Sequence, residues 1–304
     1  MDPGEHGSVL IIGQAGRDLV LRVPELPDAG GSSPVTDRIE ILGGKGANQA
    51  VGFRQLGAHV ALLAVLGDDD AGRDALDDAR ESDIDVSYIV RRGVTALLVD
   101  LVDATGRRRL LEHVPDVSLL RESDIHGAAD AFAAADTVCL QLQQPADALL
   151  AAAELAQLNE ARIVLDGSIE GGARDSLLSA ADVVRADASE AAILTGQDVT
   201  NRESAERAAR TVLDAGPSVV AFAVPGEGNL VVWSSGSSFY PFGDDPVVDV
   251  TGAGDAFLAG LVTGLRHGES AQQAGERATA AAAATVGRLG GRPDITGLRP
   301  GVGG

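Results

Sequence analysis

Residues 247–257 read Val-Val-Asp-Val-Thr-Gly-Ala-Gly-Asp-Ala-Phe, and this stretch decides how the rest of the sequence is interpreted. A strand-like run ends at a glycine-rich turn, and a helical pattern follows. Small residues let a phosphate approach the backbone, and amides at a helix N-terminus stabilise the negative charge of a transferring phosphoryl group. These amides belong to Gly252, Ala253, Gly254 and Asp255. The Asp255 carboxylate can accept a proton from an attacking hydroxyl. The residues alone leave a second interpretation open, in which Asp255 caps the helix and the glycines only form the turn.

A second glycine-rich stretch, residues 43–50, reads Gly-Gly-Lys-Gly-Ala-Asn-Gln-Ala. It holds Lys45, the only lysine of the chain. The other 23 of the 24 Lys and Arg residues are arginines. A compact ammonium on a flexible stem binds differently from a guanidinium fork, which favours a functional role for Lys45. A P-loop is excluded because Gly46 stands where Ser or Thr is required. Residues 13–16, Gly-Gln-Ala-Gly, do not complete a dinucleotide-binding fingerprint.

The composition of the chain indicates a globular protein. Its 304 residues, 45% of them hydrophobic, can bury a sizeable core in one large α/β domain. A net charge of −21 disfavours nucleic acid as a partner. Cys139 is the only cysteine, so no intrachain disulfide is expected. The acidic N-terminus is unlike a signal peptide and no stretch has the length of a membrane span, so we expect a cytoplasmic protein without membrane contact.

Strand and helix patterns alternate along most of the chain. Strands are predicted at 9–12, 60–66, 137–142, 163–166 and 218–224, and helices at 47–56, 71–82, 145–159, 203–215, 256–266 and 271–286. This alternation predicts an α/β fold with a mostly parallel sheet and helices on both faces. Two strand-only regions, about 15–42 and 94–114, predict a small β lid on a single domain that spans 1–304. The tail at 297–304 is expected to fray.

Both glycine-rich stretches resemble the signatures of one enzyme family. Residues 249–257 are similar to the C-terminal signature of the ribokinase-like (PfkB) carbohydrate kinases, and residues 43–50 are similar to the N-terminal signature in its ribokinase form. Their order and spacing match across nearly the whole chain, which makes the pair far more specific than either stretch alone. The resemblance implies a ribokinase-like three-layer fold and a kinase that uses ATP and Mg²⁺. It also implies that Asp255 is the general base and that the amides of residues 252–255 form the anion hole.

The resemblance assigns a set of sugar-binding positions. They are Asp18, Gly44, Lys45, Asn48, Gln143 and the base Asp255. The alternatives are that Asp18 is an ordinary loop carboxylate and that Asn48 is a helix residue facing solvent. Two positions depart from ribokinases, since Gly16 replaces an asparagine and Gln143 replaces a glutamate. Glutamine can donate as well as accept, so the hydroxyl pattern that it recognises differs.

A second set of positions is assigned by the resemblance to the nucleotide and its Mg²⁺. They are Asp187, Glu190, Gly226, Gly228, Thr251 and Gly254. Asp187 and Glu190 match an Asn-x-x-Glu motif with aspartate in place of asparagine, and a carboxylate still attracts Mg²⁺. Glu190 is alternatively an ordinary glutamate at a helix start. Pro225 replaces the first glycine of the nucleotide loop, which removes an N–H and restricts φ.

Many relatives hold an activating monovalent cation next to the anion hole, with backbone carbonyls and a carboxylate. The matching residues are Asp249, Thr251, Arg288, Gly290 and Asp294, the last in place of a small polar residue. The resemblance therefore implies K⁺ as an activator.

The resemblance predicts that the substrate is a small sugar. The N-terminal signature, residues 43–50, has the ribokinase form and favours a pentose such as ribose, while a fructose-type sugar, a deoxyribose or a nucleoside also fits the fold. A nucleoside kinase is expected to carry a platform for the base in its lid, and this lid is nearly free of aromatic residues. A homologue that binds sugar or nucleotide without turnover is a further alternative, because Asp187 and Pro225 depart from the family pattern.

The lid is expected to exclude water from the bound sugar and ATP. Residues 97–102, Leu-Leu-Val-Asp-Leu-Val, are apolar on more than one face of the predicted strand. The exposed strand edges of the lid predict a homodimer through this region.

Overall fold

The structure is a computed structural model that describes residues 7–243, 246–292 and 294–300. The strands are β1 (Ser8–Ile12), β2 (Gly16–Arg22), β3 (Asp37–Gly43), β4 (His59–Leu63), β5 (Val65–Leu66), β6 (Val90–Arg91), β7 (Leu97–Val102), β8 (Arg108–His113), β9 (Ala135–Gln141), β10 (Arg162–Asp166), β11 (Val183–Ala186), β12 (Val219–Val224), β13 (Gly228–Trp233) and β14 (Gly236–Pro241). The α-helices are α1 (Lys45–Gln55), α2 (Asp70–Glu81), α3 (Glu122–Gly127), α4 (Ala129–Ala134), α5 (Ala146–Leu158), α6 (Gly172–Ala180), α7 (Ala188–Thr195), α8 (Arg202–Leu213), α9 (Ala253–Arg266) and α10 (Ala271–Val286). Short 3₁₀-helices lie at Asp116–Ser118 and Thr296–Leu298.

The central sheet has eight strands in the order β14-β13-β12-β11-β10-β9-β1-β4. The strands from β12 to β4 in this order run parallel to their neighbours. Strands β13 and β14 are antiparallel at one edge. Parallel strands are covered on both faces, which explains why residues 9–12 are uniformly apolar and buried. The predicted α/β fold with a mostly parallel sheet is confirmed.

Helices cover both faces of the central sheet. Leu10 and Ile12 of β1 pack into one core, which helices α3 to α8 complete. Val9 and Ile11 point the other way, into a core formed with α1, α2, α9 and α10. Two cores on opposite faces of one sheet give the predicted three-layer arrangement.

Four further strands form a separate sheet in the order β3-β2-β7-β8. Ile39 and Ile41 of β3 face Gly290, which follows α10. A Cβ on Gly106, in the turn between β7 and β8, would lie 3.1 Å from the carbonyl oxygen of Val247. The sheet therefore lies beside the loops that precede α9 and follow α10. Apart from Gly43 at the end of β3, its strands fall within the regions 15–42 and 94–114, and its action as a lid stays a prediction.

Several boundaries differ from those predicted. Residues 60–66 form two strands rather than one, because β5 leaves the central sheet and pairs with β6. Helix α9 begins at Ala253 rather than at residue 256, which places Asp255 in its first turn. Strand β11 was not predicted because Arg185 interrupts its apolar run, and β14 was not predicted because it reads Gly-Ser-Ser-Phe-Tyr-Pro.

The tail that is predicted to fray begins within the 3₁₀-helix Thr296–Leu298, and residues 301–304 lie outside the described residues. Among the helices that the structure describes, none has the length and apolarity needed to cross a bilayer.

Candidate active site

The predicted base, Asp255, lies in the first turn of α9 and is 6% exposed. The helix begins after Gly252, whose φ of 71° is left-handed and where a Cβ would overlap the carbonyl oxygen of Gly291. Only glycine fits at such a position. No side chain caps the helix, so Asp255 does not serve as its cap.

The amides of this turn are the predicted anion hole. The amide of Ala253 donates a 3.3 Å hydrogen bond to the carbonyl of Val250. Within the described part of the chain, the amides of Gly252, Gly254 and Asp255 have no hydrogen-bond acceptor. Unpaired amides at the start of a helix are suited to bind an anion.

Two amide side chains of α1 hold the carboxylate of Asp255. Nε2 of Gln49 donates to Asp255 Oδ1 at 3.1 Å and to Asp166 Oδ2 at 2.9 Å. Nδ2 of Asn48 lies 3.5 Å from Asp255 Oδ2. Asn48 is 5% exposed, so it does not face solvent. The oxygens Oδ1 of Asn48 and Oε1 of Gln49 are buried without a partner among the described residues, which leaves two acceptors for a hydroxyl.

Two cations flank this chain of hydrogen bonds. Nζ of Lys45 pairs with the carboxylate of Glu190 and lies 4.0 Å from Asp166 Oδ2. Nη1 of Arg185 donates to Asp166 Oδ1 at 3.1 Å and lies 3.9 Å from Glu190 Oε2. The only lysine of the chain is therefore in the site, beside the base.

Sequence reasoning missed three members of this cluster, namely Gln49, Asp166 and Arg185. Gln49 could have been found, because it follows Asn48 within the same signature. Asp166 ends a buried parallel strand, which is where sites form in such sheets. Arg185 carried no signal beyond the interruption of an apolar run.

Burial dominates the protonation of the base. It raises the pKa of Asp255 to about 7, and the negative charge of Asp166 adds to this effect. Lys45, Arg185 and the hydrogen bond from Gln49 act in the opposite direction. Burial alone would lower the pKa of Lys45, but Asp166 and Glu190 raise it above its ordinary value. A carboxylate with a pKa near neutrality is suited to general base catalysis.

Asp18 lies on β2, where its carboxylate packs against Gly43 and is 3% exposed. Burial, followed by the charge of Asp100, raises its pKa to about 7. The guanidinium of Arg108 and the amide of Gly44 oppose this rise. Oδ1 of Asp18 is buried and has no partner among the described residues, so it is an acceptor open to a ligand. Asp18 is thus a buried strand residue and not a loop carboxylate.

Glycine at Gly44 is explained by local packing. Its φ is 88°, and a Cβ there would lie 2.7 Å from the carbonyl oxygen of Gln14. The signature loop therefore sits on the loop after β1, and this contact fixes where Lys45 and Asn48 begin α1.

Four of the residues assigned to the nucleotide follow β11 and β12, and the other two, Thr251 and Gly254, lie at the start of α9. Asp187 caps α7 by accepting from the amide of Glu190, and the Glu190 side chain accepts from the amide of Asp187. Glu190 is therefore both a helix-start residue and a partner of Lys45. Gly226 has a left-handed backbone in the exposed turn after β12, and a Cβ there would meet no atom within 4 Å. Gly228 belongs to β13, where a Cβ would overlap the carbonyl oxygen of Tyr240, so strand pairing explains this glycine.

Asp249 connects the two segments assigned to a monovalent cation. Its Oδ1 accepts from the amide and the hydroxyl of Thr251 at 2.9 and 2.7 Å, and its Oδ2 accepts from the amide of Gly290 at 3.0 Å. The carboxylate is fully buried. Arg288 and Asp294 pair with each other at 2.7 Å, and their side chains remain 61% and 46% exposed. The structure thus brings Asp249, Thr251 and Gly290 together and leaves the Asp294 side chain apart.

Gln143 is exposed in the turn after β9 and makes no described hydrogen bond. Gln141, at the end of β9, is buried instead, and its Oε1 accepts from the amide of Gln14. Gly16, which replaces the asparagine of ribokinases, lies in close packing, because a Cβ there would be 2.7 Å from the carbonyl oxygen of Ala96.

A cleft of about 1090 Å³ lies at the opposite, amino-terminal edge of the central sheet, between Arg54, Asp136, Arg162 and Arg266. None of the predicted site residues line it. The chemistry-bearing residues gather instead at the carboxyl edge, where a buried base, unpaired amides and two cations can act on a hydroxyl and a phosphoryl group.

Comparison with known proteins agrees with this geometry. The sequence model of the pfkB family carbohydrate kinases matches residues 7–296. A ribokinase of Haemophilus influenzae is 29% identical over 290 residues, which cover 95% of each chain. An ATP-dependent ribose-1-phosphate kinase of Halopiger xanaduensis is 33% identical over 291 residues, which cover 93% of each chain. The structure of Arabidopsis thaliana ribokinase complexed with ribose and ATP matches with a TM-score of 0.79 at 21% identity, over 96% of this chain and 97% of that one.

Proposed function

The chain belongs to the pfkB family of carbohydrate kinases, and we propose that it transfers the γ-phosphoryl group of ATP to the primary hydroxyl of a ribose-type pentose. The observation that carries this proposal is the position of Asp255, a buried carboxylate with a pKa of about 7 beside unpaired amides at the start of α9.

The reaction requires one proton transfer and one displacement. The hydroxyl oxygen of the sugar attacks the γ-phosphorus, and its proton passes to Asp255. The bond between the γ-phosphorus and the bridging oxygen breaks, and ADP leaves. The amides of Gly252, Gly254 and Asp255 stabilise the charge on the transferring group, as preorganised donors do. Gln49 holds the base in place through its 3.1 Å hydrogen bond.

Mg²⁺ bound to ATP would neutralise charge on the phosphates. The donor set fits a hydrated Mg²⁺, because the cap of α7 uses only Oδ1 of Asp187 and leaves the second oxygen available. Asp187 and Glu190 would hold the ion through water, since Mg²⁺ commonly retains several waters and binds one or two carboxylates.

The acceptor sugar would lie between Asp18 and Asp255. Oδ1 of Asp18 and Oδ1 of Asn48 are buried acceptors without partners among the described residues, and a sugar supplies hydroxyl donors for them. Free ribose is the acceptor that these groups favour.

Ribose 1-phosphate is a second candidate acceptor, as in the Halopiger xanaduensis relative. It is favoured by Arg108, because the guanidinium, which pairs with Asp100 of the same sheet, places a positive charge near Asp18.

We test both acceptors by measuring ADP release from ATP and Mg²⁺ with ribose, ribose 1-phosphate, deoxyribose, fructose and nucleosides. Asp255→Asn is the control. Turnover of one acceptor that collapses in this variant supports the proposal and identifies the substrate. Absence of turnover across the panel by a folded protein that still binds ATP would refute it and indicate a protein that binds without catalysis.

We also propose that K⁺ binds beside Asp249. This buried carboxylate accepts hydrogen bonds only from neutral donors, and no Lys or Arg side chain among the described residues pairs with it. A monovalent cation held by neighbouring carbonyls would compensate its charge.

The outer face of the β3-β2-β7-β8 sheet is proposed as a homodimer interface. Leu19, Val99 and Leu101 are only partly covered on this face, and Leu111 is 60% exposed. Contiguous apolar side chains on an exposed sheet mark a surface that a partner covers. A monomer in sedimentation analysis would refute this interface.

A further inference from the structure

Arg185 is a buried cation to which neither the sugar nor the nucleotide positions above assign a role. It lies on β11, and its side chain is 11% exposed. Burial alone would lower the pKa of Arg185, but Asp166, Glu190 and Asp255 hold it above its ordinary value. The guanidinium is therefore a permanent positive charge near the base.

The guanidinium lies against the turn that forms the anion hole. A Cβ on Gly254 would overlap Nη2 of Arg185, and Nη1 would lie 2.8 Å from it. A side chain at position 254 would displace the guanidinium from this place. The Nη2 group is adjacent to the amides of the predicted anion hole.

Most of the donors of Arg185 are unused. Nη1 donates to Asp166, and within the residues that the structure describes neither Nη2 nor Nε donates a hydrogen bond. A planar guanidinium has five donors in a fixed fork and binds phosphate oxygens well. If Arg185 served only to neutralise Asp166, no feature of that pair would place the second nitrogen at the anion hole.

We propose that Arg185 is a further catalytic residue, whose Nη2 contacts the transferring phosphoryl group and stabilises the charge on its oxygens. Asp166 orients the guanidinium through the 3.1 Å bond to Nη1. The same Asp166 accepts from Gln49, which holds Asp255, so one carboxylate positions both the base and the cation. This inference rests on the proposed phosphoryl transfer.

The kinetic test compares Arg185→Gln and Arg185→Lys with Arg92→Gln. Arg92 forms a similarly buried pair with Asp124 away from the site, so it controls for the loss of a buried ion pair. Arg185→Gln is expected to lower kcat by about 100-fold or more, as the removal of one preorganised donor does. The KM of the sugar is expected to change by less than about threefold, because the contact forms in the transition state. A kcat within about fivefold of the wild-type value would overturn the proposal.

A double variant separates catalysis from charge neutralisation. Because Asp166 also supports the base through Gln49, the reference for the double variant is Asp166→Asn alone. If Arg185 only compensates Asp166, Arg185→Gln combined with Asp166→Asn turns over at the rate of Asp166→Asn. If Arg185 contacts the phosphoryl group, the double variant is much slower than Asp166→Asn. A double variant with the kcat of Asp166→Asn would overturn the proposal.

A binding measurement keeps the inference testable apart from the choice of acceptor. Calorimetry with ADP, Mg²⁺ and aluminium fluoride measures affinity for a mimic of the transferring group. Arg185→Gln is expected to weaken this complex at least about tenfold while ADP alone binds as in the wild type. Equal affinities of both proteins for the fluoride complex would overturn the proposal. If the wild type turns over none of the acceptors, the proposed function has failed, and this measurement still decides the role of Arg185.

Discussion

Substitution of Asp18 by asparagine is expected to stabilise the protein at alkaline pH and to impair its use of sugar. Asp18 is 3% exposed, and burial raises its pKa from 3.8 to about 7. Because the folded-state pKa lies above the unfolded one, the ionised carboxylate destabilises the fold above pH 7, and stability returns as the pH falls toward 4. The rise of the pKa from 3.8 to about 7 corresponds to about 4 kcal/mol in favour of the protonated form.

The amide group that Asp18→Asn introduces would not recover all of this free energy. Its NH₂ group would be buried, and a buried donor without a partner costs about 1–3 kcal/mol. At pH 8 we therefore expect Asp18→Asn to raise the free energy of unfolding by about 1–3 kcal/mol. At pH 5 the carboxyl group of the folded wild type is protonated but that of the unfolded chain is ionised, so roughly 2 kcal/mol of the cost remains. The stability advantage of the variant is therefore expected to fall by about 2–3 kcal/mol between pH 8 and pH 5.

Urea unfolding, followed by the fluorescence of the single tryptophan, Trp233, measures this difference at pH 8 and pH 5. Asp37→Asn is the matched control, because Asp37 is an exposed residue of the same sheet, and its variant is expected to follow the wild type. The KM for sugar of Asp18→Asn is expected to rise at least about tenfold, because a charged acceptor is lost. A stability difference that is the same at both pH values would refute the reasoning.

Three further predictions concern the site and the surface. The kcat/KM of the enzyme should rise with pH through about 7 as Asp255 ionises. Gln49→Leu should move this rise to higher pH, because it removes a hydrogen bond that lowers the pKa of Asp255. An unchanged pH profile in this variant would contradict this account. Activity should be higher in KCl than in NaCl at equal ionic strength, and Asp249→Asn should abolish the difference. The melting temperature should rise between 0.1 and 1 M salt with NaCl and KCl alike, because a net charge of −21 repels itself and salt screens it; a fall would contradict this expectation.

Local sequence was informative wherever the backbone itself set the requirement. The left-handed glycines Gly44 and Gly252 each precede a helix, so the two glycine-rich stretches predicted a helix after each turn, although α1 and α9 begin two and three residues earlier than predicted. The apolar runs of the parallel strands predicted the central sheet because both faces are covered.

Contacts between strands were beyond the reach of local patterns. Asp166 and Arg185 are in contact because β10 and β11 are neighbours in the sheet, and the sequence around either residue does not predict this contact. The resemblance assigned a sugar contact to Gln143, yet β9 ends at Gln141, and in the following turn Gln143 is exposed while Leu142 and Gln144 are buried.

The hydrogen bond from Gln49 to Asp255 joins residues 206 positions apart in the sequence. Loop closure over such a distance must precede the contact, so the two halves of the site cannot meet until α9 has been synthesised and has docked beside α1. A nascent or truncated chain that lacks α9 would retain the signature loop and β2 but no base. Catalytic activity therefore reports on completed folding of nearly the whole chain, and recovery of activity after dilution from denaturant would measure the last docking step rather than the first collapse.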